Sequence, residues 1–166
     1  MLELIRLAAL LAATMTMGIG AGVFQLYAFA IMPGLGRTDD RTFVGAFQQI
    51  DKAIVGPWLF FFFFGALGFT ALAVALHFGA DERSALPWIG GAFVLHLAVL
   101  VITLVVNVPL NNEIDTAGDP DRIADLAAVR GRFNEARWVA WNVFRAIAST
   151  IAFGCLAWAL VLHERS

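Results

Sequence analysis

Apolar residues run almost unbroken through four stretches of the chain, Leu7 to Gly36, Ala53 to Ala80, Ser84 to Asn112 and Trp138 to His163, and Arg145 is the one Lys, Arg, Asp or Glu inside any of them. Each exceeds the roughly 20 residues that cross a bilayer as a helix. The pattern predicts an all-α fold, an integral membrane four-helix bundle that makes residues 1–166 a single domain, with spans at about 7–35, 53–79, 86–110 and 137–162. The first and third loops read as partly helical and amphipathic. In the first, Met32-Pro33-Gly34-Leu35 reads as the break that ends helix one, Asp39 or Asp40 as the cap of a new helix, and Phe43, Phe47, Ile50 and Ile54 recur at helical spacing. In the third, Asp119-Pro120-Asp121 reads as a helix start, with Ile123, Leu126 and Phe133 as its apolar stripe.

Within the spans, Gly18 and Gly22 form a small-xxx-small pair suited to close helix approach. Phe60 to Phe64 cover the whole circumference of helix two. The first stretch follows Arg6 and contains Ala28-Phe29-Ala30, a small-x-small pattern, but its apolar run is about twice a signal-peptide core and reads as a retained helix.

Composition agrees: 60% of the residues are hydrophobic and 14% charged, against about 25% charged in soluble domains. A net charge of −2 without a Lys/Arg cluster excludes nucleic acid as a partner and leaves the lipid bilayer. Cys155 is the only cysteine, so no intrachain disulfide forms. An even number of spans puts both termini and the Asp81-Glu82-Arg83 loop on one side. The two longer loops carry seven Lys/Arg (Arg37, Arg41, Lys52, Arg122, Arg130, Arg132, Arg137) against three on the other side. The longer loops are therefore expected in the cytoplasm, with both termini opposite.

Polar side chains inside a membrane are costly and point to function or to helix contacts. At about 1.5 Å per residue from the loop-rich end, Trp58, Asn107 and Asn142 share a shallow layer with Trp138 and Trp141 nearby, and Gln25, Tyr27, Thr103 and Arg145 share a deeper one. His96, Thr103 and Asn107 fall on one face of helix three, and Trp138, Trp141, Asn142, Arg145 and Ser149 on one face of helix four. The two stripes are expected to face each other. Arg145 has no Asp or Glu at its depth. Either it snorkels toward the interface, caps backbone carbonyls or pairs with Glu113 or Glu135 there, or it receives an anionic or carbonyl-bearing ligand inside the bundle. His96 is either an interhelical hydrogen-bonding group or a proton-transfer or metal-binding residue. Asn107, Asn111 and Asn112 surround Pro109, as a helix exit or as a rigid polar wall. No His, Cys, Asp or Glu cluster has metal-site spacing, and His77 sits roughly 12 Å from His96 along the membrane normal, which disfavours a bis-histidine haem. No metal and no cofactor is expected, with a haem or metal held without a motif left open.

The segment Asn107-Val108-Pro109-Leu110-Asn111-Asn112, then Arg132-Phe133 and Trp138-Val139-Ala140-Trp141-Asn142-Val143-Phe144-Arg145, resembles the anthrone oxygenase-like family of small four-helix membrane proteins. The glycine-rich run into Met32-Pro33-Gly34-Leu35 and the element Gln48-Gln49-Ile50 agree with it. Asp51 departs from it, standing where the family leads one to expect asparagine. The resemblance implies a bacterial inner-membrane protein that oxidises a flat, apolar phenolic or anthrone-type substrate with dioxygen. Arg145, Asn107 and Asn142 would stabilise the substrate anion, Trp138 and Trp141 would stack on it, and Gln25, Tyr27, Asn111 and Asn112 would complete the pocket. His96 and Asp51 are the candidate bases by residue type. The alternative is a non-catalytic carrier or partner-binding subunit, and a bundle this small is compatible with a homo-oligomer.

Overall fold

The computed structural model describes residues 1–78 and 84–165; the Asp81-Glu82-Arg83 loop lies outside the described residues. Helices α1 (Leu2–Leu35), α3 (Pro57–Phe78) and α4 (Leu86–Asp115) are long and apolar enough to span a membrane, as is α6 (Glu135–His163). Two shorter helices, α2 (Asp40–Ile54) and α5 (Leu126–Phe133), fill the first and third loops. No strand occurs among the described residues. The fold is an all-α membrane four-helix bundle.

Helix α1 packs against both α3 and α6, and α4 closes the bundle against α6 and α3. Alanines dominate their contacts, with Ala13, Ala66, Ala73, Ala92, Ala152 and Ala159 all buried. Small side chains let membrane helices approach where no hydrophobic effect drives association. Gly18 contributes to this, because a Cβ there would lie 2.9 Å from the Phe153 ring of α6. Gly22 meets nothing within 4 Å, so the expected pair reduces to one glycine. On α3, Phe60, Phe61 and Phe64 face outward while Phe63 turns inward. Trp58 is 75% exposed and stacks on Phe62, outside the polar layer expected to hold it.

Pro33 does not end helix one. The chain widens into a π turn over Tyr27–Ile31 and then continues helically through Leu35. Helix α4 does the same over Thr103–Asn107 and runs on to Asp115. Both turns begin six residues before a proline, Pro33 or Pro109. Proline offers no N–H and its ring crowds the carbonyl four residues back. One wide i→i+5 turn just ahead of it absorbs both problems, and such turns gather at functional sites.

The loop-rich end is capped by its own small core. Asp39 accepts from Thr42 N at 3.0 Å and starts α2, which buries Phe43, Val44 and Phe47. Helix α5 starts at Asp125, which accepts from Ala128 N at 2.9 Å. Asp119 is not its cap: its side chain accepts from Asp121 N only two residues on and closes a local turn. Phe43, Phe47, Phe133, Ile114, Met32 and Trp138 pack together beneath α2 and α5. Gln48 Nε2 donates to Ile114 O and Gly118 O, both at 2.9 Å, and so serves carbonyls that the end of α4 leaves without helical partners. Arg130 donates to Thr38 O and Asp40 at 3.0 Å and to Glu135 at 2.9 Å, with its guanidinium 4.1 Å from the Phe43 ring centroid. These ties hold α1, α2, α5 and α6 in one arrangement at this end.

Candidate functional site

Residues of both π turns line a cavity of about 120 Å³. Its walls come from α1 (Val23, Phe24, Tyr27), the α2–α3 junction (Asp51, Ile54, Val55, Leu59, Phe63), α4 (Thr103, Asn107, Val108, Asn111) and α6 (Trp138, Asn142, Arg145). The lining is mostly apolar with a few convergent polar groups, as ligand pockets are.

Arg145 is its central cation. It is 5% exposed, Nη1 donates to Thr103 Oγ1 at 3.1 Å and Nη2 to Asn142 Oδ1 at 3.0 Å. The guanidinium carbon lies 4.7 Å from the centroid of Phe24 and 5.5 Å from that of Trp138, so two aromatic faces supply the attraction a carboxylate would otherwise provide. Snorkelling is excluded by this burial. The carboxylates at the interface are engaged elsewhere, Glu113 with Arg132 at 3.3 Å and Glu135 with Arg130. No carboxylate lies within ion-pair distance of Arg145 among the described residues.

The groups holding Arg145 are themselves fixed. Thr103 Oγ1 donates to Val99 O at 2.7 Å, and Asn142 Nδ2 donates to Phe24 O at 3.1 Å, just before the first π turn. Asn107 Nδ2 donates to Trp138 O at 3.3 Å. Two polar atoms of the cavity wall are buried without a hydrogen-bond partner: Arg145 Nε, a donor, and Asn107 Oδ1, an acceptor. A buried polar group left unpaired costs about 1–3 kcal/mol.

A second line of hydrogen bonds runs along the loop side. Trp138 Nε1 donates to Asn111 Oδ1 at 2.6 Å, and Asn111 Nδ2 donates to Asp51 Oδ1 at 2.8 Å. Burial pushes the Asp51 carboxyl up to about 7, and the neighbouring Asp115 adds to the rise while the Asn111 hydrogen bond opposes it. A carboxyl poised near neutrality suits proton transfer.

The structure therefore brings together Arg145, Asn107, Asn142, Trp138, Tyr27, Asn111 and Asp51. It does not bring in four other candidates. Gln25 points away and donates to Thr150 at 2.9 Å on an exposed face. Trp141 is 37% exposed, packs on Phe144 and lies outside the cavity lining. Asn112 is exposed and also outside the lining. His96 is buried behind Phe63, where Nε2 donates to Phe63 O at 2.9 Å and bridges α4 to α3. His77 sits at the opposite end of the bundle, its ring 5.3 Å from that of His163. Phe24, Phe63 and Asp115 were not singled out in the sequence. For Asp115 a signal exists: an acidic side chain in the last turn of a helix, where the dipole disfavours negative charge.

This arrangement defines a class, a membrane four-helix bundle with a buried cation in the wall of a mostly apolar cavity. The anthrone oxygenase family pattern matches residues 58–155, from α3 through α6. That is more than half of the chain, and the chain belongs to this family. No curated protein and no solved structure is similar enough to match it.

Proposed function

We propose that this protein is a membrane oxygenase that converts a flat, apolar, anthrone-type phenolic to the corresponding quinone with dioxygen. The observation that carries the reading is the buried Arg145 guanidinium in the cavity wall, whose Nε has no hydrogen-bond partner, together with Asn107 Oδ1 of the same lining, likewise without one. A ligand that satisfies both presents an acceptor to the first and a donor to the second. A ring carbonyl with a neighbouring hydroxyl does so. When the central methylene of an anthrone loses a proton, negative charge moves onto that carbonyl oxygen, and a fixed cation in a dry pocket stabilises it more than the neutral ground state. The apolar remainder of the ligand fits walls made of Val23, Ile54, Leu59, Phe63 and Val108. The reaction balances without a further reductant: one oxygen atom replaces the two methylene hydrogens, and the other leaves with them as water.

The family match supports an oxygenase-like role. The excess of Lys and Arg in the longer loops supports a cytoplasmic location for the capped end. Labelling of an Arg122→Cys variant in intact cells tests the orientation; reaction with an impermeant reagent overturns it. The activity is tested by oxygen uptake of purified protein with emodin anthrone, corrected for autoxidation. The expected result is a protein-dependent rate with one dioxygen consumed per quinone formed. No enhancement over autoxidation overturns the reading and favours a carrier or partner-binding subunit.

A further inference from the structure

The walls of the cavity are unequal. On α1 and α6, Phe24, Tyr27, Trp138, Asn142 and Arg145 are all buried, whereas Val55 at the α2–α3 junction is 54% exposed and Val108 of α4 is 38% exposed, and both line the same cavity. A side chain that faces a cavity and the surface at once marks an opening. Packing explains where it lies. Helix α3 packs on the Leu86–Ile102 part of α4, where His96 Nε2 donates to Phe63 O at 2.9 Å. From Thr103 on, the π turn and the rest of α4 pack instead on α6, α2 and α5. The chain also leaves helical geometry at Val55, between the end of α2 at Ile54 and the start of α3 at Pro57, and a Cβ on Gly56 would meet nothing within 4 Å. A gap therefore remains in the side of the bundle between the start of α3 and the second half of α4. Its surroundings are apolar and exposed: Leu104 and Val105, four and three residues before Val108, and Trp58, three residues after Val55. Toward the loops, by contrast, Phe47, Ile114, Phe133 and Trp138 pack together.

We propose that this gap is a lateral mouth, through which an apolar ligand passes between the hydrocarbon of the loop-side leaflet and the cavity, and in which the apolar part of the ligand stays when it is bound. The cavity measures about 120 Å³, less than the roughly 300–1,000 Å³ of sites that enclose a whole small molecule. Its buried polar groups, Arg145 and Asn107, belong to the wall. The cavity therefore encloses the polar end of a ligand, and the remainder extends between Val55 and Val108 toward lipid. The proposal goes beyond the oxygenase reading and holds for any ligand with one polar and one apolar end.

Such a mouth selects by phase as well as by shape. An apolar ligand is concentrated in the hydrocarbon before it binds, whereas a permanently charged one would give up its hydration to enter there and is excluded. Val55 and Val108 set the width of what passes. The competing route starts from the water beside Asp51 and Asn111, which are half-buried on the loop side of the lining and joined at 2.8 Å. A ligand using that route would be as accessible to charged reagents as to apolar ones.

Thiol labelling of the full chain in phosphatidylcholine vesicles tests the mouth. With the single native cysteine removed by Cys155→Ala, Asn107→Cys, and in parallel Val23→Cys, places one thiol in the cavity wall. N-(1-pyrenyl)maleimide dissolved in the bilayer is expected to label it, and an anionic methanethiosulfonate present in the water on both sides is expected to leave it unmodified, although Arg145 would attract that reagent. Val55→Trp and Val108→Trp should each slow the maleimide by at least about tenfold, because passage then requires the indole to swing aside. Val105→Trp, on the exposed face of α4 outside the lining, should leave the rate unchanged. Labelling by the sulfonate as fast as by the maleimide, no labelling by the maleimide in folded protein, or a maleimide rate unmoved by both mouth tryptophans overturns the proposal. No arm measures oxygen uptake, so the mouth and the oxygenase reading stand or fall separately.

Discussion

Arg145 of α6 donates to Thr103 Oγ1 of α4 at 3.1 Å, and Thr103 is the first residue of the π turn that lets α4 continue past Pro109. The buried cation is thus anchored where the backbone departs from regular helix. A regular α-helix advances about 100° per residue, and one added residue in a turn rotates everything beyond it. The turn therefore sets which residues after Thr103, Asn107 and Asn111 among them, look toward α6.

Asn107 is predicted to select ligands with a hydroxyl beside the carbonyl. Replacing Asn107 by Leu removes the open acceptor while sparing Trp138 O, which belongs to a helix. The preference of wild type for a hydroxylated over an unsubstituted anthrone, measured as a ratio of kcat/KM, should fall by roughly tenfold, the worth of about one buried hydrogen bond. An unchanged ratio removes Asn107 from ligand recognition.

Gln48 is predicted to be structural. Gln48→Leu leaves Ile114 O and Gly118 O without their shared donor and should lower stability by about 2 kcal/mol. Thermal unfolding in detergent measures this. Since Gln48 does not line the cavity, activity below the transition should survive in the folded fraction.

The raised value of Asp51 also sets a pH dependence of stability. Between its ordinary value of 3.8 and about 7, the folded chain keeps a proton that the unfolded chain has released. Stability contributed by this group is fully present below the lower value and is lost as pH rises through the upper one. Asp51→Asn should therefore be more stable than wild type at pH about 8, by on the order of 1 kcal/mol given partial solvent screening, and equal to it near pH about 4. A gain that grows toward acid contradicts the assignment.

Much of this was legible in the sequence because its physical signals are strong. Four apolar stretches fixed the bundle, and helical spacing put Asn107, Thr103, Asn142 and Arg145 on facing stripes. Arg145 stood out as a cation without a carboxylate at its depth, and the structure answers with a hydroxyl, an amide and two aromatic rings. What spacing missed was local. Proline at 33 reads as a stop, but a π turn carries α1 through it. Gln25 and Tyr27 share a depth, yet lie on opposite sides of the helix, so only Tyr27 reaches the cavity. Trp141 was grouped with Trp138 by depth and helical spacing, yet it is 37% exposed and packs on Phe144 outside the cavity. The hydrogen bond from Asn111 to Asp51 joins helices 60 positions apart in sequence, a relation no single-element pattern contains.

The central claim is that Arg145 stabilises a ligand anion in the cavity. Steady-state oxygen uptake with emodin anthrone by wild type and Arg145→Ala, each shown by circular dichroism to be folded, measures it most directly. A loss of roughly 100-fold in kcat is predicted, the scale on which a single fixed donor to a developing oxyanion acts. Equal rates in the two folded proteins would contradict the account.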